Sequence, residues 1–316
     1  MCIPCGSALP SACLFTATLT SGGPAEPAPM AVKPATHADP VTLRFDEKDL
    51  RTPAAVRSRD GGSTAGVAAP GFEIRLNFGD TAPTPRQAAA FSAAAATWEG
   101  LIAGYSEAAF DGRTSLTIDV SLPEIDGRGG TLGSAGPTRA RFSENFFFAS
   151  EGRMNFDVAD VDALLNAGTF DDVVLHEIGH VLGIGTLWSG SVFGIEGRQE
   201  LYVDDTGVYT GDRALAGYRA TYDAAAGFVP IELQGGPGTA NGHWDEGFGG
   251  AATGITDAEG RDFNTELLTG WLNPGSRISA VTLGGLEDLG YAVVPEPSAA
   301  LLAAAGGLAL AGRRRR

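Results

Sequence analysis

The run His176-Glu-Ile-Gly-His180 constrains this chain more than any other stretch of it. On a helix, residues four apart project from one face. Two imidazoles at that spacing can grip one zinc ion, and Glu177 beside the first can serve as a base toward a water molecule there. The chain has only four histidines, His37, His176, His180 and His243. A sequence so poor in histidine has nonetheless placed two of them at ligand spacing around a glutamate. The surrounding pattern fits the helix the motif needs. It is predicted to start near Thr169 to Asp172, with Asp171 and Asp172 at its positive end. Val174, Leu175, Ile178, Val181 and Leu182 supply its buried surface, and Gly183 and Gly185 end it.

A hydrolytic zinc site needs three protein ligands and one open position. In one common zinc-protease arrangement the helix stops at a glycine and a third histidine follows six residues after the second. Gly183 stands in the right place, but the residue six after His180 is Thr186. The third ligand therefore comes from elsewhere. His37 lies in a low-complexity start, which leaves His243 as the better histidine. Carboxylates at Glu196, Glu200, Glu232 and Glu246 are its rivals.

The rest of the chain of 316 residues organises itself around that helix. Residues 1–70 are rich in Ala, Pro, Ser, Thr and Gly and read as a leader followed by a low-complexity or pro-segment. All three cysteines, Cys2, Cys5 and Cys13, fall there, so the body has no cysteine zinc site and no disulfide framework. Phe72 to Phe78 and Ser115 to Leu122 alternate as half-buried strands. Pro85 to Ile102 reads as a helix with Phe91, Ala94, Ala95, Trp98 and Ile102 on its buried side. Asp126 to Pro137 reads as a glycine-rich loop, and Asp157 to Asn166 as a short helix ending near Gly168. Asp157, Asp160 and Asp162 lack the glycine and glutamate of a calcium loop and read as a solvated acidic face. A long glycine-rich region runs to about Trp271, and Ser276 to Tyr291 reads as a terminal helix. Lys and Arg total 22 against 38 acidic residues, a formal charge of −16. That balance argues against a nucleic-acid partner, which needs a basic footprint.

Residues 294–316 are distinct. Val294-Pro-Glu-Pro297 breaks the chain, Ser298 to Gly312 is apolar, and Arg313 to Arg316 close it. The apolar run is shorter than the about 20 residues of a comfortable membrane span, and the arginines would stay on the cytoplasmic side.

Val174-Leu-His-Glu-Ile-Gly-His-Val-Leu-Gly-Ile-Gly-Thr-Leu-Trp188 resembles the active helix of leishmanolysin-like peptidases, members of the metzincin group of zinc endopeptidases. Gly235-Gly-Pro-Gly-Thr-Ala-Asn-Gly-His-Trp-Asp-Glu246 resembles the segment that supplies their third histidine after a long insertion. Glu266-Leu-Leu-Thr-Gly270 and Leu286-Glu-Asp-Leu-Gly-Tyr291 resemble the segments that follow. Upstream, Phe91 to Trp98, Ile125 to Gly133 and Met154-Asn-Phe-Asp157 fit as well. The similarity spans about residues 71–292, and the peptidase domain is read as residues 71–293. It implies an α+β domain with a twisted mixed sheet, an active-site helix and a glycine-rich, mostly irregular C-terminal part. It also implies one zinc ion on His176, His180 and His243, with Glu177 as general base. Metzincins carry a methionine in a turn beneath the metal, and Leu268 stands at that place here. Leucine has similar volume, so the exchange is tolerable. The segment from Thr131 to Pro137 falls where metzincins present an edge strand. Leu132, Gly133, Ser134 and Ala135 are thus candidate substrate contacts, with a plain glycine loop as the alternative. Trp244 could wall the substrate pocket, or be an ordinary packed aromatic.

The tail resembles a PEP-CTERM sorting signal of exporting Gram-negative bacteria. That resemblance implies a surface or extracellular protein, transiently held in the membrane by the tail and processed by an exosortase-type protease. The expected function is zinc-dependent hydrolysis of protein or peptide substrates. The rival is a non-catalytic surface or matrix protein that keeps the fold and the zinc.

Overall fold

The computed structural model describes residues 18–19, 71–79, 82–105, 114–143, 146–189 and 200–294. Its elements run, in chain order, β1 (Thr18–Leu19), β2 (Glu73–Asn77), α1 (Pro85–Leu101), β3 (Ile102–Tyr105), β4 (Ser115–Ser121), β5 (Gly133–Ser143), β6 (Phe146–Phe156), α2 (Val158–Ala167), α3 (Phe170–Leu182), β7 (Val208–Tyr209), α4 (Asp212–Thr221), β8 (Val229–Pro230), β9 (Trp271–Leu272), α5 (Ala280–Asp288) and β10 (Tyr291–Val293). The readings at His37, at Glu196, over most of residues 1–70 and over residues 295–316 lie outside the described residues.

The main sheet has the order β2-β4-β6-β5. Alternation in β4 turns Leu116, Ile118 and Val120 inward. β2 and β4 run parallel, with Glu73 opposite Ser115 and Asn77 opposite Asp119. Parallel neighbours need a long crossover, and α1 supplies it. Thr84 starts α1 with a reciprocal capping box, its side chain taking the Gln87 N–H while Gln87 reaches back to the Thr84 N–H. β6 is parallel to β4 and antiparallel to β5. The sheet is therefore mixed, with β5 at its edge.

Helix α3 lies against the sheet and α1. Phe91 of α1 meets Phe78, Phe156 of β6 and Phe170 of α3 at ring distances of 5.1, 5.4 and 5.4 Å, all edge-on. Such edge-to-face pairs add to area burial by about 0.5–1.5 kcal/mol each. Trp98 of α1 donates its Nε1–H to the Leu175 carbonyl at 2.9 Å. At the far end of α3, Tyr291 of β10 donates its hydroxyl to the Leu182 carbonyl at 2.8 Å, satisfying one of the carbonyls a helix end leaves open. β10 pairs antiparallel with β3 and so ties the chain's last described strand to its first half.

Several sequence expectations need correction. The glycine-rich reading of Asp126 to Pro137 misses that β5 begins at Gly133 and forms, with β6, the longest hairpin of the fold. Gly133, Gly136 and Pro137 hide the strand. Proline is tolerated because β5 is an edge, and the register shifts just after it. The C-terminal part is less irregular than expected, because it also contains α4. That helix docks on α5 through glycines: a Cβ at Gly217 would lie 2.3 Å from the Ala280 carbonyl oxygen. Asp288 of α5 accepts the Arg213 and Ala214 N–H groups at 2.9 Å each and so caps α4 from outside it. The terminal helix starts at Ala280 because Ser279 caps it, and Tyr291 belongs to β10. The acidic trio is not solvated throughout. Asp157 caps α2 and also gathers the N–H groups of Ile125, Asp126 and Gly127, while Asp160 takes that of Gly129. Burial opposes the charge of Asp157, but these donors outweigh it and hold its carboxyl below its usual range. Among the described residues no helix is long and apolar enough to cross a membrane.

The fit of α3 on the sheet depends on Gly152, where a Cβ would sit 2.1 Å from Val181 Cγ1. Gly152→Ala is expected to lower stability by about 1–3 kcal/mol. Urea unfolding checks this, and an unchanged midpoint would show that the helix can shift at no cost.

Candidate active site

Helix α3 spans Phe170–Leu182, within the predicted limits, and Asp171 and Asp172 lie in its first turn. Gly183 closes it at φ +116°, a conformation that only glycine adopts freely. His176 and His180 leave one face of α3, and His243 arrives from a segment 63 residues beyond His180. All three side chains and Glu177 are fully buried. The Nε2 atoms of His176 and His180 are 2.9 Å apart, those of His180 and His243 3.0 Å, and those of His243 and His176 3.3 Å. Among the described residues, this is the one group of three or more metal-ligating side chains close enough to share an ion.

The opposite ring nitrogens explain why the Nε2 atoms face inward. His176 Nδ1 lies 2.6 Å from the Leu267 carbonyl oxygen, His180 Nδ1 3.0 Å from that of Ile184, and His243 Nδ1 2.9 Å from that of Thr239. A carbonyl only accepts, so each Nδ1 carries the proton and each Nε2 presents its lone pair. Burial pushes His176 down to about 4 and His243 to about 3, with the His176 ring adding to the effect on His243. Burial and both neighbouring rings push His180 well below its ordinary value. All three are therefore neutral at physiological pH. Three lone pairs converging this closely repel one another unless a cation lies between them. Tetrahedral zinc with Zn–N near 2.0–2.1 Å sets its ligand nitrogens about 3.3 Å apart, so the donor set fits.

The profile of the leishmanolysin peptidase family matches residues 148–308, about half the chain. The chain belongs to the leishmanolysin family. It is thus a metallopeptidase whose substrates are proteins or peptides, in a family that depends on zinc. Searches of curated proteins and of solved structures returned no match.

Leu268 is buried against the active helix, where a Cβ on Gly179 would lie 2.9 Å from Leu268 Cδ1. The first residues of β5 pass directly by Glu177, since a Cβ at Gly133 would come within 2.8 Å of Glu177 Oε1. Gly133 thus lies beside Glu177, with Leu132, Ser134 and Ala135 next to it along the chain, and all four are buried. Trp244 is fully buried between Trp188 and Tyr209, with ring distances of 5.1 Å to each, and donates Nε1–H to Thr282 Oγ1 at 3.0 Å. It packs as an aromatic of the core, with its indole N–H paired inside. The carboxylate rivals for the third ligand are engaged elsewhere. Glu232 accepts the Gln234 N–H, and Glu246 accepts the Gly270 N–H at 2.9 Å. Glu200 is exposed. The three backbone carbonyls that orient the rings carried no signal in the sequence.

Glu246 gives the site's surroundings a pH signature. Burial, reinforced by the Glu232 carboxylate, pushes its carboxyl from 4.5 up to about 9. Above pH 4.5 the unfolded chain has released this proton while the folded chain keeps it, so stability falls as pH rises toward 9. Glu246→Gln keeps an acceptor for Gly270 and removes the titration. Its stability relative to wild type is expected to grow by about 1.4 kcal/mol per pH unit between pH 5 and 8 in urea unfolding. A difference that stays flat with pH would show the carboxyl to be charged in the folded chain.

Proposed function

We propose that this chain is an exported zinc endopeptidase in which His176, His180 and His243 hold one zinc ion and Glu177 is the general base. The observation that carries this reading is the convergence of three neutral imidazoles, each turned inward by a backbone carbonyl, beside a buried glutamate. Zinc, when bound, would polarise the scissile carbonyl and acidify the attacking water. Glu177 takes the proton from that water and passes it to the leaving amine. β5 supplies the bed for the substrate. An extended peptide can pair with the edge at Leu132, Gly133, Ser134 and Ala135 through backbone hydrogen bonds, which places its carbonyl beside Glu177. The closeness of Gly133 to Glu177 supports this placement.

The domain reading is a leader with a low-complexity or pro-segment over residues 1–70, the peptidase over 71–293, and a PEP-CTERM sorting tail over 294–316. The tail would anchor the chain in the membrane of a Gram-negative bacterium until an exosortase-type protease processes it. A surface or extracellular location agrees with the family.

Two experiments test these readings. Purified wild-type chain is expected to cleave an unfolded protein substrate, to lose activity to a chelator and to regain it with zinc. Glu177→Ala should lower kcat by about 10²–10⁴-fold while binding zinc normally, and His243→Ala should lose the metal. Zinc-loaded wild type that cleaves nothing over a panel of unfolded substrates would favour the non-catalytic surface protein. For location, cells expressing the chain with and without residues 294–316 are fractionated. The same distribution for both would sink the sorting role of the tail.

A further inference from the structure

Only two non-glycine residues among those described adopt positive φ, Asp205 at +64° and Asn241 at +68°. Such conformations are uncommon and persist only where the surroundings hold them. Here the two hold each other. Asn241 Oδ1 accepts the Asp205 N–H at 2.9 Å, and Asn241 Nδ2 donates to Asp205 Oδ1 at 2.9 Å. The Tyr202 hydroxyl donates to the same Asn241 Oδ1 in a short hydrogen bond. The main chain of Asn241 is bonded as well. Its N–H donates to the Glu232 carbonyl at 2.7 Å, and its carbonyl accepts the Trp188 Nε1–H at 3.2 Å.

This junction lies two residues before His243. Between them stands Gly242, whose carbonyl oxygen would be 2.2 Å from a Cβ at Gly185 in the turn after α3. The Glu232 N–H in turn donates to the His243 carbonyl at 3.0 Å. The backbone from 241 to 243 is thus fixed from three sides: by the turn at 202–205, by the strand-like stretch at 232, and by the turn that follows the active helix. The side chain that joins the first of these must offer an acceptor to an N–H and a hydroxyl and a donor to a carboxylate at once. An amide does this with separate donor and acceptor atoms. An aspartate at 241 would set two carboxylates against each other.

On the reading that His243 holds zinc, we infer that Asn241, clamped by Asp205 and Tyr202, is the positioning residue of the third ligand. The insertion between α3 and His243 is then no mere spacer, since its turn at 202–205 sets where the His243 ring arrives. Partners bonded directly to a ligand govern metal affinity by about 10- to 100-fold, and the clamp at Asn241 acts on the same placement through the backbone two residues away.

The test measures zinc affinity of the full chain by chelator competition for wild type, Asn241→Gly, Asn241→Asp and Tyr202→Phe, with thermal midpoints of the metal-free proteins. Glycine accepts positive φ without strain, so Asn241→Gly removes the clamp and spares the backbone. Asn241→Gly and Asn241→Asp are expected to bind zinc about 10- to 100-fold more weakly, and Tyr202→Phe more weakly than wild type by a smaller factor. The metal-free midpoint of Asn241→Gly stays near that of wild type, and at saturating zinc its kcat recovers with KM unchanged. Zinc bound by Asn241→Gly as tightly as by wild type would overturn the inference, as would a fall in the metal-free midpoint with zinc affinity intact. If Asn241→Gly does not fold, Tyr202→Phe decides by the same two outcomes. Wild-type chain that takes up no zinc overturns the metal reading of the site, and this inference with it. Zinc-binding wild type beside an unaffected Asn241→Gly overturns this inference alone.

Discussion

The backbone of Gly242 meets the turn at Gly185 with no room for a side chain at 185, and the site is assembled at that meeting. One side of it is the continuation of α3, which carries His176, Glu177 and His180. The other side is the approach to His243. A Cβ at position 185 would drive the two apart and withdraw the third imidazole from the other two. The turn can take this shape because Gly183 and Gly185 both sit at positive φ. Around the contact, the buried rings of Trp188, Tyr202, Tyr209 and Trp244 form a wall that keeps the two segments in register. Trp244 also receives its N–H acceptor from Leu268, whose neighbour Leu267 orients His176. The segment beneath the site is thereby tied to the segment that completes it.

The electrostatics of the site follow from burial. Burial keeps the three imidazoles neutral, and the carbonyls behind them fix which nitrogen keeps its proton. The resulting cluster of inward lone pairs is unfavourable by itself and becomes favourable around a cation. Metal binding and the final packing of this region are therefore coupled, as is general for sites whose ligands come from distant parts of the chain. Leu268 fits the same logic. The position needs an apolar body of the right volume against Gly179, and leucine supplies it.

Much of the first half of the fold was legible in the sequence. Alternation located β2 and β4, helical spacing located α1, and the apolar positions around the histidines located α3 with both its ends. These elements are amphipathic, so a local pattern records which face is buried. β5 escaped because of its composition: glycines and a proline at a sheet edge, where Gly133 must leave space for Glu177 and Pro137 is tolerated. α4 escaped because its close approach to α5 uses Gly217, and Asp288, which caps it, lies more than seventy residues away. In both cases the signal was in a partner and not in the element.

The sequence by itself determined the chemistry on the helix. Two histidines at one helical turn around a glutamate, in a chain with two other histidines, point to a metal, to two of its proposed ligands and to the proposed base, because that information is carried by spacing along a single element. It also narrowed the third ligand to His243 through the likeness of the segment around it. Tertiary structure alone decided how His243 gets there: the glycine contact at 185 and 242, the paired positive-φ turns at Asp205 and Asn241, and the carbonyls of Leu267, Ile184 and Thr239 that turn three rings inward. Backbone carbonyls are common to every residue, and contacts between segments sixty residues apart leave no periodicity. Neither can be read from the chain until it is folded.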